Sequence, residues 1–261
     1  MLKALTTAAT GLEAQQANID RIANDLANVN TDGYKREKTE FQDLMYETIK
    51  EPGGRQGATT ISPTGVQKGL GVKVGSTHKI FEQGSVKVTN NPYDIMVEGK
   101  GFIQVTQPNS GETAYTRAGN FKLDSQGRIT LSSGALLQPQ ITIPPNSTSV
   151  VITPNGEVKS YNNEGEQVLG QIQLANFINP QGLLALGGNL YKPTPASGVA
   201  QQVVPGEAGV GTIMQGALEA SNVNVANSMI EMIGAQRGYE MNTRVMSVAD
   251  KMLEATTNIV R

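Results

Sequence analysis

Residues 24–36, NDLANVNTDGYKR, end the first long helical pattern of the chain and decide how the chain leaves it. Asparagine is a mediocre helix former because its short amide competes with the backbone for hydrogen bonds. Asn24 and Asn28 are spaced i,i+4 and would share one helix face, where buried amides can fix the register of a helix bundle. Asn30 and the TDG that follows it are typical of a helix C-terminus. The stretch therefore predicts two register-setting amides and then a helix stop, with fraying and capping alone as the alternative interpretation.

The region before this stretch carries apolar residues at heptad spacing and contains no proline. Two lines of residues, each repeating every seven positions, form an a/d seam over four heptads. This pattern predicts a helix of about 28 residues, about 42 Å long. One line of the seam is Leu5, Leu12, Ile19 and Leu26, and the other is Ala8, Gln15, Ile22 and Val29.

A second proline-free helical pattern ends the chain, with Ser221 or Asn224 as its predicted N-cap. Its apolar positions form a narrow seam that suits one partner helix, because the complementary line is mostly polar. The apolar line is Val225, Met232, Tyr239, Met246, Leu253 and Val260, and the complementary line is Met229, Gln236, Thr243, Asp250 and Thr257.

The region between the helices alternates apolar and polar residues and is interrupted by turn signals, which predicts antiparallel β-structure. The strands are predicted at FKLD, RITL, ITIP, VVIT and IQLA. Before them, FQDLMYETIK is predicted to add two or three helical turns, followed by a breaker-rich loop and the strand-like VQKGLGVKVGSTHKIF.

The predicted fold class is therefore α+β: paired N- and C-terminal helices form a coiled coil that an extended bridge joins to a central all-β domain. The alternative is that the helices pack on the β domain as ordinary core helices, but their narrow apolar seams favour assembly with other chains. The predicted division is a helical domain of residues 1–36 with 218–261, a bridge of 37–79 with 206–217, and a β domain of 80–205.

Composition argues against most enzymatic and nucleic-acid functions. The 261 residues carry 21 basic and 23 acidic side chains, so no excess of positive charge favours nucleic acid. No cysteine is present and His78 is the single histidine, so thiol catalysis and a two-histidine metal site within one chain are excluded. No catalytic, cofactor-binding or metal-binding residues are predicted, and no apolar run is long enough for a signal peptide or a membrane span. An enzyme with a site in the β domain, or a ligand-binding β module on a coiled-coil stalk, are the alternatives from other functional classes.

Several motifs resemble those of the bacterial flagellar rod and hook proteins. These are NIDRIANDLANVNTDGYKR at the N-terminal end, NNPYDIMVEGKGFIQV and YTRAGNF in the centre, and GALEASNVNVANSMIEMIGAQRGYE towards the C-terminal end. The resemblance covers nearly the whole chain. The bridge is similar to that of the distal rod members of the family, with a proximal rod or hook-type subunit as the alternative.

The resemblance implies a structural, non-enzymatic subunit that polymerises helically into the rigid, hollow distal rod of the flagellar basal body. The implied partners are further copies of the chain, proximal rod and hook-side axial proteins, the surrounding envelope rings and the flagellar type III export apparatus, without nucleic acid or membrane insertion. The rod would span the periplasm, and the chain would be exported without a cleaved signal peptide. Phe41 and Met45 resemble the family's export motif, with a shared helical face as the alternative interpretation of their spacing.

Overall fold

The computed structural model describes residues 2–51, 64–108, 111–162 and 165–259 of the chain. These residues form an N-terminal helix, a long and mostly β region, and a C-terminal helix, which confirms the α+β class. Their contacts divide the chain into two compact units. Unit 1 consists of residues 1–26, 37–78 and 224–261, and unit 2 consists of residues 27–36 and 79–223.

Unit 1 contains two long helices and two small sheets. Its elements are α1 (Leu2–Ala27), β1 (Glu37–Asp43), β2 (Tyr46–Lys50), β3 (Val66–Gly69), β4 (Val72–Lys79) and α2 (Val225–Ile259). Strand β1 pairs with β4, and β2 forms an antiparallel pair with β3.

The two helices begin and end where the local chemistry requires it. After α1, the N–H of Thr31 donates to the carbonyl of Asn28 over 3.1 Å, and Gly33 adopts a φ of +73°, which glycine tolerates and most residues do not. At the start of α2, the side-chain oxygen of Asn224 accepts the N–H of Asn227 over 3.1 Å. Asn224 is therefore the N-cap, one of the two residues predicted for it.

The described part of residues 37–79 forms four strands with short connections and no helix, so the prediction of helical turns for FQDLMYETIK was wrong. The segment supplies β1 and β2, and Tyr46 lies opposite Gly69 in the β2–β3 ladder. Its aromatic and β-branched residues suit a strand, and pairing with β3 overrides the weak helical pattern. The predicted loop falls largely on residues 52–63, outside the described residues.

Unit 2 is built from antiparallel strand pairs around one main core. Its elements are β5 (Val86–Val88), β6 (Ile95–Glu98), β7 (Phe102–Thr106), β8 (Thr113–Thr116), β9 (Phe121–Leu123), β10 (Ile129–Leu131), β11 (Leu136–Leu137), β12 (Ser149–Ile152), β13 (Glu157–Asn162), β14 (Gly165–Gln171), β15 (Leu174–Asn176), the 3-10 turn Pro180–Gly182, β16 (Leu184–Gly187), β17 (Leu190–Lys192), β18 (Gln201–Val203), β19 (Thr212–Gln215) and β20 (Ala217–Glu219).

The largest sheet has nine strands, in the order β16-β17-β8-β7-β11-β10-β9, with β15 bound to β7 and β18 bound to β15. A three-stranded sheet β12-β13-β14 and the pairs β19–β6 and β20–β5 complete unit 2. Predicted strands FKLD, RITL and VVIT are present, and IQLA contributes the start of β15. ITIP contributes only an isolated bridge between Thr142 and Arg128, so its assignment as a strand was wrong.

The core of unit 2 follows from alternation along these strands. In β12, residues 149 to 152 alternate between exposed and buried, so Val150 and Ile152 face the core. The same core takes Ile103, Phe121 and Val158, none of which is exposed to solvent. A second, aromatic cluster includes Phe102, Tyr115, Phe177 and Tyr191.

The units divide the chain differently from the predicted domains. Residues 27–36, which follow α1, lie in unit 2 because they form hydrogen bonds with its strands, and residues 37–78 lie in unit 1. Residues 206–223 also lie in unit 2, because β19 and β20 pair with β6 and β5.

Candidate assembly surface

The first predicted seam is covered along its whole length. Every one of its eight residues is fully or partly buried, and Ile22 is completely inaccessible. These residues are Leu5, Ala8, Leu12, Gln15, Ile19, Ile22, Leu26 and Val29. A single chain thus covers every residue of this seam at least in part.

The second predicted seam is covered only in part. Met232, Met246 and Leu253 are partly buried on α2, whereas Val225 and Tyr239 are 41% and 36% exposed. Val260 lies outside the described residues.

On α2, the residues that are covered next to the apolar line differ from the complementary line that the sequence predicted. Ala235 and Ala249 are buried and Asn242 is partly buried, while Met229, Gln236, Thr243 and Asp250 are exposed. The two candidate lines flank the apolar one at +3 and −3 positions, and the structure covers the line with the small residues. Small side chains allow a neighbouring helix to come close.

Contacts between α1 and α2 run in opposite directions along the two helices. A Cβ placed on Gly11 would lie 2.9 Å from Nδ2 of Asn242, and one on Gly238 would lie 3.2 Å from Cδ of Gln15. Nη2 of Arg21 lies 3.0 Å from Oε2 of Glu231. Rising residue numbers in α1 thus meet falling numbers in α2, and the helices are antiparallel neighbours.

A stripe of large apolar side chains on α2 remains exposed. At 100° per residue it lies about a third of a turn away from the line that contains Ala235 and Ala249. Ile230 is 68% exposed and Met241 is 62% exposed. The α2 stripe consists of Ile230, Ile233, Met241, Val245, Val248 and Met252, which recur at helical spacing. Sequence periodicity contains this signal, but the seven-residue line of Met232, Met246 and Leu253 also has helical spacing and competes with it.

The strands of unit 1 carry a second exposed apolar patch. The bridge patch consists of Phe41, Met45, Tyr46, Ile49, Val66, Leu70 and Val74. The predicted export residues belong to it: Phe41 lies in β1 and Met45 lies between β1 and β2, where it is 83% exposed. They do not share a helical face, because no helix forms there.

The predicted register amides lie at the end of α1. Asn24 is exposed in the single chain, and Asn28 is partly buried, with its Oδ1 accepting the hydroxyl of Thr31 over 3.2 Å.

Asp25, which the sequence analysis missed, is the buried polar residue of this helix end. Its carboxylate accepts Nη1 of Arg21 over 3.0 Å and the N–H of Glu37 over 3.1 Å, and Arg21 also donates to the carbonyl of Glu37. The i,i+4 spacing of Arg21 and Asp25 was the available signal. The pair fixes the start of β1 beside α1.

The described residues carry no group of three or more metal-binding side chains. None of the described helices is long and apolar enough to cross a membrane.

Three family models match the chain at its two ends and its centre. Residues 5–35 match the flagella basal body rod protein model, and residues 96–160 match the flagellar hook protein FlgE/F/G D1 domain model. Residues 214–259 match the flagellar basal body rod FlgEFG protein C-terminal model. The first and last of these matches overlap α1 and α2.

Relatives that match over their full length identify one member of this group of rod and hook proteins. The flagellar basal-body rod protein FlgG of Caulobacter vibrioides is 49% identical over 261 residues, which cover 99% of each chain. In Bacillus subtilis, FlgG is 34% identical over 267 residues and 100% of each chain, whereas the hook-basal body complex protein FlhP is 28% identical over 97% of each chain. This chain belongs to the FlgG family. The predicted recognition is confirmed, and the FlgG match extends through both helices, the bridge and unit 2.

Proposed function

We propose that this chain is a structural subunit of the distal rod of the flagellar basal body. Copies polymerise helically into a rigid, hollow shaft that transmits torque from the motor to the hook. This rod spans the periplasm. The observation that carries the proposal is the α2 stripe, because a single chain leaves these side chains in water although they are spaced as a helix-packing face.

The α2 stripe supplies a driving force for assembly. Complete burial of one large aliphatic side chain is worth roughly 1.5 to 3 kcal/mol, so partial burial of six such side chains contributes several kcal/mol per subunit contact. Since the stripe and the line facing α1 lie on different sides of α2, the helix can contact α1 and a neighbouring subunit at once. Repeated around the rod axis, these contacts form a coiled-coil layer that surrounds a channel.

The bridge patch stiffens the shaft by binding neighbouring subunits. Most of its side chains project from two-stranded sheets, and isolated two-stranded sheets are at best marginally stable in water. Burial of Met45 and Ile49 against the next subunit would hold these strands in place and resist bending.

Other axial proteins cap the two ends of the polymer, proximal rod proteins at one end and hook-side proteins at the other. Unit 2 contacts the envelope rings. The chain passes through the flagellar type III export apparatus without a cleaved signal, and Phe41 with Met45 forms its export motif. The subunit is not an enzyme, consistent with membership in a family of rod proteins.

A triple substitution in the α2 stripe tests the assembly surface. Ile230→Ser, Ile233→Ser and Val248→Ser remove three exposed apolar side chains. The matched control, Val151→Ser with Val168→Ser, removes exposed apolar side chains from unit 2, where Val168 is 59% exposed. The stripe variant is expected to remain folded by circular dichroism, to be exported, and to give no distal rods and no motility in a strain that lacks the native subunit. The control is expected to build rods.

Electron microscopy of isolated basal bodies gives the decisive result. Complete distal rods built from the stripe variant would exclude the α2 stripe as the assembly surface. Loss of rods with both variants would mean that general loss of surface apolarity, and not this stripe, explains the effect.

A further inference from the structure

Residues 27–36 are held by unit 2 although the sequence on both sides of them belongs to unit 1. We call these ten residues the anchor segment. Their sequence, ANVNTDGYKR, includes the motif that ends the first helical pattern. The anchor segment is therefore held in unit 2 by its own contacts and not by the residues that precede and follow it in sequence.

The backbone of the anchor segment forms hydrogen bonds with the rest of unit 2 at Gly33 and at Arg36. The N–H of Gly33 donates to the carbonyl of Glu219 over 2.7 Å. The N–H of Arg36 donates to Oδ1 of Asn222 over 2.7 Å, and the carbonyl of Arg36 accepts the N–H of Ile80 over 2.9 Å. This pattern resembles the way a bound peptide is held by its main chain.

Close packing at Gly33 makes the contact specific for sequence. A Cβ on Gly33 would lie 2.6 Å from the backbone nitrogen of Ala118, so there is no room for any side chain. Tyr34, the next residue, is 6% exposed, and the Nζ of Lys79 lies 4.6 Å from the centre of its ring. Unit 2 thus accepts a glycine followed by an aromatic residue.

Lys35 supplies the buried charge of the anchor segment. Its ammonium is inaccessible to solvent and donates to Oε1 of Glu219 over 2.5 Å and to the carbonyl of Glu82 over 2.6 Å. Arg117, also buried, lies 3.4 Å from the other oxygen of the same carboxylate. Burial lowers the pKa of Lys35 below the usual lysine value, and the Glu219 carboxylate opposes that shift. Since an unpaired buried charge is costly, Lys35 needs the Glu219 carboxylate, which it shares with Arg117.

We propose that unit 2 carries a peptide-binding surface whose ligand is the anchor segment of the same chain. The surface is formed by Glu219, Asn222, Ala118 and the backbone at Glu82, and it recognises glycine, tyrosine and lysine in succession. The segment stays bound to unit 2 whether or not α1 is ordered, so structural changes in α1 stop at residue 27. This inference rests on contacts within unit 2 and does not depend on the proposed rod function.

Hydrogen exchange of the full-length, dilute chain tests the proposal. The amides of Gly33 and Arg36 are expected to exchange at the slow rate of β7 and β8, at least about tenfold slower than amides in the middle of α1. Equal exchange of the anchor segment and α1, with both faster than β7 and β8, would overturn the proposal.

A pair of lysine substitutions tests the chemistry. Lys35→Met removes the buried ammonium and is expected to accelerate exchange at Gly33 and Arg36 by at least about tenfold while α1 exchanges as before. Lys38→Met, at an exposed lysine three residues later, is the control and is expected to change nothing. Unchanged protection in a folded Lys35→Met chain would overturn the role of Lys35. If that variant does not fold, exchange of the unmodified chain still decides the question.

Chemical coupling establishes which chain supplies the segment. Oδ1 of Asp32 lies 3.3 Å from Nζ of Lys87, so a carbodiimide should join them. Chains labelled with 14N and 15N are mixed unfolded, refolded together at low concentration and coupled. Coupled peptides of a single isotope support the proposal, whereas a substantial fraction of mixed peptides would show that neighbouring copies exchange the segment and would overturn the assignment to the same chain.

Discussion

Unit 1 and unit 2 treat their apolar residues in opposite ways. Unit 2 buries Ile103, Phe121 and Val158 completely within its own core. In the described part of unit 1, the fully buried apolar residues are Ala8, Ala14, Ala235, Ala249 and Ile22. The large apolar side chains of its strands and of α2 are mostly exposed, as the α2 stripe and the bridge patch show.

The two units therefore obtain their stability from different sources. Burial of large apolar side chains is the main favourable term in folding, so unit 2 has the means to fold by itself. Unit 1 buries mainly alanines, although most of the stability of helices in proteins comes from tertiary packing of an amphipathic face. Its remaining apolar surface is available for contacts that a single chain does not make, which is what the proposed assembly requires.

The largest change in stability is expected when an apolar residue of the buried core of unit 2 is truncated, in contrast to an exposed apolar residue of α2. Phe121→Ala should destabilise unit 2 by about 3 to 5 kcal/mol, because it opens a cavity in a closed core. Ile233→Ala, at a residue that is 58% exposed on α2, should change the stability of the single chain by no more than about 0.5 kcal/mol. Urea unfolding followed by near-ultraviolet circular dichroism measures both. Similar losses for the two variants would erase the distinction between the units.

The next effect concerns the contact of the anchor segment with unit 2. Gly33→Ala should cost at least about 2 kcal/mol, since it combines an unfavourable positive φ with a clash against the backbone of Ala118. Gly111→Ala is a matched control with a φ of +66° and open space around the added Cβ, so it should cost only about 1 kcal/mol. Urea unfolding of both variants measures the difference. Equal losses would mean that crowding at Ala118 contributes nothing.

A smaller effect of opposite sign is expected in α2. Gly234 lies four residues after Ile230, and nothing lies near a Cβ placed on it in the single chain. Gly234→Ala should therefore stabilise α2 by about 1 kcal/mol, because glycine is a poor helix former. If the α2 stripe packs closely against a neighbour, the same change should impair rod assembly. Thermal unfolding and rod counts by electron microscopy measure the two effects, and better folding with unchanged assembly would place Gly234 outside the interface.

The smallest effect is expected at the exposed ion pair of Lys3 and Glu47 in unit 1. A hydrogen bond from Lys3 lowers the pKa of Glu47, so any stabilisation is present above the ordinary carboxylate pKa and is lost as the pH falls through the lowered value. Solvent screens such pairs strongly. Glu47→Gln should therefore leave thermal stability nearly unchanged at neutral pH and unchanged in acid. A large loss at neutral pH would indicate that unit 1 depends on its surface charges.

Local patterns predicted much of the secondary structure. Heptad spacing located α1 and its covered residues, and Asn224 was one of the two predicted caps of α2. Alternation and turn residues located four of the five predicted strands of the β region, at least in part. The prediction of helix in the bridge was wrong because the apolar residues of FQDLMYETIK have no decisive period. Only the pairing of this segment with β3 and β4 determines its strands.

The candidate site was less predictable. The α2 stripe and the line beside Met232 both have helical spacing, so periodicity could not show which of them α1 would cover. Lys35 illustrates the same limit. Its charge predicts exposure, and only the positions of Glu219 and Glu82, far away in the sequence, explain its complete burial.

The sequence by itself determined the two helices, the antiparallel β character of the centre and the family, because these depend on periodicity, turn chemistry and motifs that lie within short stretches. Only the tertiary structure decided that residues 27–36 belong to unit 2, that the bridge forms strands and that α2 exposes a stripe of large apolar side chains. The physical reason is that burial, strand pairing and ion pairing join residues that are distant along the chain, and local patterns do not contain the choice of partner.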